Sequence, residues 1–386
     1  MNNHDVQPDK FGSRLRRLRP FAALLLAAAT GGGALAHDER GGDGGKQPIM
    51  LDRSGGFAVG GKVIADPANP NRTLSCDHGY VEYFIPWKPR ETSLVMWHSS
   101  SSQGWQNRWD GGEGYKDKFL RRDYPVYLWD GPRVGRANWS CEPINYVPAY
   151  RDQGNFTAWL FGPTAPQGQP KPGDWFPGVQ FPTRSAEAWN QATRARYDEF
   201  DTGANIQLQT DVASVGADSG KLGDQIVYLT NSAGGLRAMV TTTKATKKNI
   251  AGIVTYESIG YVFPAGDPES PPACTDPGPA CAFGPIHVPL ADFKKLSKLK
   301  AIQFVWGDNR PESDRFVQQS RLAAKLINRY GGNAEVLVLG RDAGLWGSTH
   351  IPFADLDNEK VAGLLDKFLK RNKLDKYEKG GHGYGH

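Results

Sequence analysis

Three side chains in this 386-residue chain have the types and the order that acyl-transfer chemistry requires. Ser232 lies in Leu229-Thr-Asn-Ser-Ala-Gly-Gly235, directly after the strand-like run from Gln225 to Leu229. A serine on a tight turn between a strand's end and a helix's start has its hydroxyl lifted to the carboxyl edge of the sheet. Strand and helix nearly touch there, so small neighbours are a steric requirement. Gly234 and Gly235 meet it, while Thr230 stands where the usual G-x-S-x-G pattern has its first glycine. Taken alone, the heptapeptide reads equally well as an ordinary strand-to-helix loop.

Glu257 follows the apolar run Ile250 to Tyr256, and His350 closes Gly347-Ser-Thr-His350 after the last strand-like run. Serine, acid, histidine is the chain order of a hydrolase built on a strand–turn–helix elbow. A second carboxylate, Asp308 in Phe304-Val-Trp-Gly-Asp-Asn309, follows the next strand and competes for the acid's place. An oxyanion also needs backbone N–H donors, one from the residue after the nucleophile and one from the loop after the third strand. Ala233 and the turn Trp97-His-Ser-Ser-Ser101 occupy those places, with Ser99 or Ser100 as the second donor. The same run of serines is also what a plain polar loop contains. His98, beside the third strand, reads as a brace for this turn rather than a proton carrier.

The elements that must position these groups are legible as alternating patterns. Strand-like runs cover Phe57 to Ile64, Tyr80 to Pro86, Leu94 to His98 and Val126 to Asp130, with turn-rich Asp66 to Asn71 after the first, an antiparallel start. In the second half the strands Gln225–Leu229, Ile250–Tyr256, Ala301–Trp306 and Glu335–Leu339 alternate with helical spacing over Ser313–Tyr330 and Glu359–Asn372. Alternation of this kind implies βαβ units, hence an α/β fold with a mostly parallel central sheet and helices on both faces. Between about 142 and 212 the pattern dissolves into prolines, glycines and aromatics, the composition of a cap-like insertion. Trp105, Trp109, Trp139, Trp159, Trp175 and Phe176 either line an apolar pocket over the serine or form the cap's own small core.

The first 36 residues read as a signal peptide: a basic stretch Arg14 to Arg19, an apolar run Phe21 to Ala29, and Ala34-Leu-Ala36 as a cleavage site. Arg16-Arg17 loosely resembles a twin-arginine signal, but Pro20 and Arg19 blur it and the ordinary secretory route is the reading taken. A flexible tail over 37–47, a main domain over 48–375 and a Gly/His-rich C-terminal tail over 376–386 complete the organisation. Nothing downstream approaches the roughly 20 apolar residues of a membrane span, so the expectation is a protein that is secreted or periplasmic. The formal net charge of +5 is carried partly by the leader, which leaves too little to argue for nucleic acid. Four cysteines in an exported chain point to disulfides rather than metal. Cys274 and Cys281 flank a turn-rich stretch that suits a small closed loop, leaving Cys76 for Cys141, although three pairings are formally open.

The runs His98 to Gly104, Tyr115 to Tyr124, Asp130-Gly-Pro-Arg-Val-Gly-Arg136, Phe304-Val-Trp-Gly-Asp308 and Gly347-Ser-Thr-His-Ile-Pro-Phe-Ala-Asp355 resemble a small α/β-hydrolase subfamily. Its type member is a secreted bacterial esterase with adjacent disulfide-bonded cysteines at the oxyanion hole. The likeness runs in pieces from Tyr80 to Phe368. It implies the α/β-hydrolase fold with an inserted cap and a triad of Ser232, Glu257 and His350, and it ranks Glu257 above Asp308. It departs at two points: Ser100-Ser101 stand where the vicinal cysteines would be, and Thr230 replaces the elbow glycine.

These readings converge on a serine hydrolase for a small-molecule carboxylic ester, apolar or aromatic, working through an acyl-enzyme without cofactor or metal. Lactonase and amidase chemistry use the same groups. The reading from a different class is a non-catalytic hydrolase-like binding protein.

Overall fold

The computed structural model describes residues 47–98, 101–145, 148–195, 202–274 and 281–378. The expected leader, most of the tail after it, Ser99, Ser100 and the C-terminal residues from 379 lie outside them. Eight strands form the central sheet: β1 Leu51–Val59, β2 Gly79–Pro86, β3 Thr92–Trp97, β4 Val126–Asp130, β5 Gln225–Asn231, β6 Ile250–Tyr256, β7 Ala301–Trp306 and β8 Ala334–Val338. Their spatial order is β1-β2-β4-β3-β5-β6-β7-β8. β1, β2 and β4 pair antiparallel, and every later neighbour is parallel.

The parallel strands read as continuous apolar runs because both of their faces are covered. In β5, Ile226 and Tyr228 point into one core and Val227 and Leu229 into the other. In β7, Ile302, Phe304 and Trp306 take the first side and Ala301 and Val305 the second.

Ten helices flank the sheet among the described residues. α1 Gln103–Gln106 and α2 Tyr115–Leu120 follow β3, and α3 Asp152–Ala158 and α4 Ala186–Arg194 belong to the insertion. α5 Gly203–Asp218, α6 Ala233–Lys244, α7 Leu290–Leu296 and α8 Arg315–Arg329 bury Val212, Leu236, Phe293 and Leu326 on the first face. α9 Leu339–Ala343 and α10 Asn358–Arg371 join α1, α2 and the insertion on the second, around Trp105, Phe119, Leu339 and Phe368.

Two expectations are corrected. The run 57–64 is not one strand: Gly60 and Gly61, at φ 60° and 86°, break it, and the chain continues into an exposed antiparallel hairpin, Lys62–Asp66 with Asn69–Cys76. The insertion ends before α5, whose Ile206, Val212, Ala213 and Ala217 pack in the sheet's own core. Of the expected C-terminal tail, Tyr377 is described: it pairs with Arg90 and donates a hydrogen bond to Asp123. Of the three possible cysteine pairings the structure contains Cys76–Cys141 and Cys274–Cys281. No helix among the described residues is long and apolar enough to cross a membrane.

Candidate active site

β5 ends at Asn231 and α6 begins at Ala233, so Ser232 alone makes the turn. Its backbone adopts φ 55° and ψ −131°, a conformation that costs a non-glycine residue about 1–3 kcal/mol. Ser232 N–H donates to the Tyr256 carbonyl at 3.0 Å, and its own carbonyl accepts from Gly235 and Ile259 at 3.1 and 3.2 Å. These bonds hold the strained turn from both sides. The glycines after it are required: a β-carbon on Gly234 would lie 2.6 Å from the Trp97 carbonyl oxygen, and one on Gly235 would lie 2.1 Å from Ser258 Oγ. Thr230 fits because it still lies inside the sheet, fully buried between Trp97 of β3 and Thr255 of β6. The elbow's steric demand falls on the helix side, where both glycines are present.

Glu257 is the first residue after β6, also at a positive φ of 50°, and its carboxylate is fully buried. Oε1 accepts the Gly307 N–H at 2.7 Å. Oε2 faces two groups, the Arg310 Nε at 2.6 Å and the His350 Nδ1 at 3.4 Å. Burial pushes this carboxyl's pKa up, but Arg310 and then His350 outweigh it and hold the group below the usual glutamate range. His350 is itself buried, which lowers its pKa; Glu257 opposes that effect and Arg310 adds to it, leaving the imidazole below the ordinary histidine value.

Asp308 does different work. Its oxygens accept the backbone N–H groups of Gly347 and Ser348 at 2.9 and 3.0 Å, anchoring the loop that carries the histidine. The buried Asp355 accepts from Thr349, through both N–H and hydroxyl at 2.8 Å. His350 N–H donates to the Trp159 carbonyl at 2.9 Å, so four consecutive amides, from Gly347 to His350, are fixed. The insertion contributes further clamps, with Gln180 bonded to Gly347 and Leu356. Asn231, the residue before the serine, donates from Nδ2 to the carbonyls of Tyr256 at 3.1 Å and His350 at 2.8 Å. One side chain thus ties the ends of β5 and β6 and the histidine loop together. Sequence alone singles out neither Asn231, which precedes Ser232, nor Arg310, two residues after Asp308.

Ala233 opens α6, where the first N–H groups have no partner inside the helix and the dipole favours negative charge. Ser99 and Ser100, the other expected donors, lie outside the described residues. Beside them His98 Nδ1 accepts the Ser101 N–H at 3.2 Å, and the ring lies edge-on to Phe353. Phe353 stacks on Trp105 of α1 at 3.6 Å between centroids, coupling the turn after β3 to the histidine loop.

The expected substrate tryptophans divide. Trp105 is fully buried in that stack, and Trp175 packs on Phe181 within the insertion's aromatic cluster of Phe156, Phe161 and Trp189. Trp109 lines a cavity of about 380 Å³ between α1 and α4, in company with the polar Gln103, Asn107, Glu187 and Gln191. Trp159 is half-buried beside the histidine it holds, whereas Trp139 is exposed. Among the described residues no group of three or more His, Cys, Asp or Glu side chains is placed to hold a metal ion.

Comparison with solved structures agrees with this architecture. A bacterial esterase superposes with a TM-score of 0.65 at 22% identity, covering 85% of this chain and 98% of its own. Naproxen esterase from Bacillus subtilis matches at a TM-score of 0.40 and 10% identity, over 83% of this chain and 93% of its own. A CIB-like hydrolase from Thermoplasma acidophilum matches at 0.37 and 13%, over 82% and 99%. No protein-family model matches the sequence, and no curated protein does. The chain has the α/β-hydrolase fold, with the strand order and the strand-to-helix elbow described above.

Proposed function

We propose that the protein is a serine hydrolase that cleaves carboxylic esters through an acyl-enzyme. The observation that carries this reading is the junction of two strand ends with the histidine loop. Ser232 occupies a strained elbow after β5, Glu257 follows β6 with Oε2 3.4 Å from His350 Nδ1, and Asn231 binds the His350 carbonyl. Backbone strain of this kind persists where the surroundings over-determine it, and it gathers at reactive sites.

In the mechanism, Ser232 Oγ attacks the ester carbonyl carbon while His350 takes the hydroxyl proton. Glu257 accepts from the Nδ1–H, keeps the other ring nitrogen free for the serine, and stabilises the imidazolium once it forms. The Ala233 N–H and a donor from the turn after β3 hold the oxyanion. His350 returns the proton to the departing alkoxide, an alcohol leaves, and the acyl group remains on Ser232. A water, deprotonated by the same histidine, then attacks the acyl carbonyl; His350 returns that proton to Ser232 Oγ as the acid leaves, which restores the free enzyme.

For substrate we keep a small ester with an apolar or aromatic part. Support comes from Trp159, half-buried in the insertion, whose carbonyl accepts the His350 N–H. We place the protein outside the cytoplasm, in agreement with its two disulfides.

Hydrolysis of p-nitrophenyl acetate and butyrate by the wild type and by Ser232→Ala tests the reading. We expect turnover in the first and only background in the second. Equal rates in both folded proteins would remove Ser232 from the mechanism, and equal turnover of acetyl, long-chain and aryl esters would remove the substrate preference.

A further inference from the structure

We propose that Arg310 is a positioning residue that sets the acidic limit of this site, by sharing with His350 the one Glu257 oxygen that the imidazole faces. The inference rests on the Ser232–Glu257–His350 reading and concerns how that triad is tuned.

A carboxylate that supports a histidine usually offers it one oxygen while backbone N–H groups take the other. Here Gly307 N–H takes Oε1 at 2.7 Å, but Oε2 is divided. Arg310 Nε lies 2.6 Å from it and His350 Nδ1 only 3.4 Å. The shorter, charge-assisted bond dominates, and the His350 bond is long because the oxygen is already engaged. Arg310 is in turn held in place: its Nη1 reaches Asp314 at 3.2 Å and its guanidinium lies over the Trp306 ring at 5.6 Å. The side chain is only 13% exposed, so its charge acts on the pair with little screening.

The other groups around the pair have partners of their own. Asp308 is bonded to Gly347 and Ser348, Asp355 to Thr349, and the Tyr261 hydroxyl donates to the Ser258 carbonyl. Among the described residues Arg310 is the cation bonded to Glu257, and Asp314 the anion that partly offsets it. A guanidinium on the shared oxygen reduces the negative charge the imidazole sees, so protonated His350 is stabilised less. The histidine then stays neutral, and able to accept the serine's proton, in more acidic water than a simple Glu–His pair allows. The directions found for both groups agree, since Arg310 lowers Glu257 and lowers His350.

The experiment is the pH profile of kcat/KM for p-nitrophenyl butyrate in the wild type, Arg310→Met and Asp314→Asn. Arg310→Met should move the acid limb up by about one pH unit, the lower end of what a neighbouring charge does to a titrating group. Asp314→Asn keeps an oxygen to cap α8 at Phe316 N–H but frees Arg310 for Glu257, so its limb should move down. Opposite shifts are the signature of charge, because a purely structural role would lower the plateau and leave both limbs in place. Unmoved limbs in active variants would overturn the role of Arg310 and leave the triad intact. Wild-type activity that survives Ser232→Ala would instead overturn the triad itself. If Arg310→Met does not fold, the direction of the Asp314→Asn shift decides.

Discussion

Glu257 and Asp308 were close rivals as letters in a sequence, and single atoms separate them. Glu257 faces an imidazole nitrogen, while Asp308 spends its oxygens on two backbone N–H groups. Glu257→Gln should therefore cost roughly 100-fold or more in kcat, because the amide no longer fixes the tautomer or stabilises the imidazolium. Asp308→Asn keeps an acceptor for the loop and should cost less than tenfold, about one such hydrogen bond. Stopped assays on the two variants check this, and the reverse order would hand the acid's role to Asp308. The proton balance also has a sign. His350 must be neutral to act, and its pKa lies below the ordinary histidine value. Wild-type kcat/KM should then stay on its plateau as pH falls through that ordinary value and drop only below it. A limb at or above it would contradict the burial argument. Arg310 escaped the sequence reading because a lone arginine in Asp308-Asn-Arg310 carries no spacing signal; its importance comes from a contact across 53 positions.

The elements differ in how clearly they were written. β5, β6 and β7 were legible because strands buried on both faces must be apolar throughout. The hairpin over 62–76 was not, since its side chains are almost all exposed and Asn69-Pro-Asn71 reads as turn. α5 was folded into the insertion for the opposite reason. It buries Asn205, Gln209 and Thr210 beside its apolar residues while Val215 is exposed, so its periodicity is blurred. The histidine loop shows how elements cooperate: Gly347, at φ 85°, lies so close to the insertion that a β-carbon would come 2.0 Å from the Gly178 carbonyl oxygen. Gly347→Ala should push the insertion off the loop and lower kcat by roughly tenfold or more through misplaced His350, since small displacements of a reacting group are costly. Unchanged kcat in the folded variant would show that the insertion's clamp is dispensable.

At the scale of the molecule, an antiparallel edge of three strands leads into a parallel sheet, with Ser232 and Glu257 at the carboxyl ends of β5 and β6. Cys76, at the end of the exposed hairpin, is bonded to Cys141 at the start of the insertion, closing a loop with a separation of 65 residues. Such a crosslink stabilises by about 4 kcal/mol in the chain-entropy model. The Cys76→Ala, Cys141→Ala double variant should unfold at clearly lower denaturant, with turnover by what remains folded unchanged. An unchanged midpoint would mean that this bridge adds nothing to the fold's stability. Intact-mass analysis and peptide mapping after exposure to a fluorophosphonate test whether Ser232 is an activated nucleophile. One adduct is expected on the peptide containing Ser232, absent in Ser232→Ala and slowed in Glu257→Gln. A folded wild-type protein that takes up no label would contradict it.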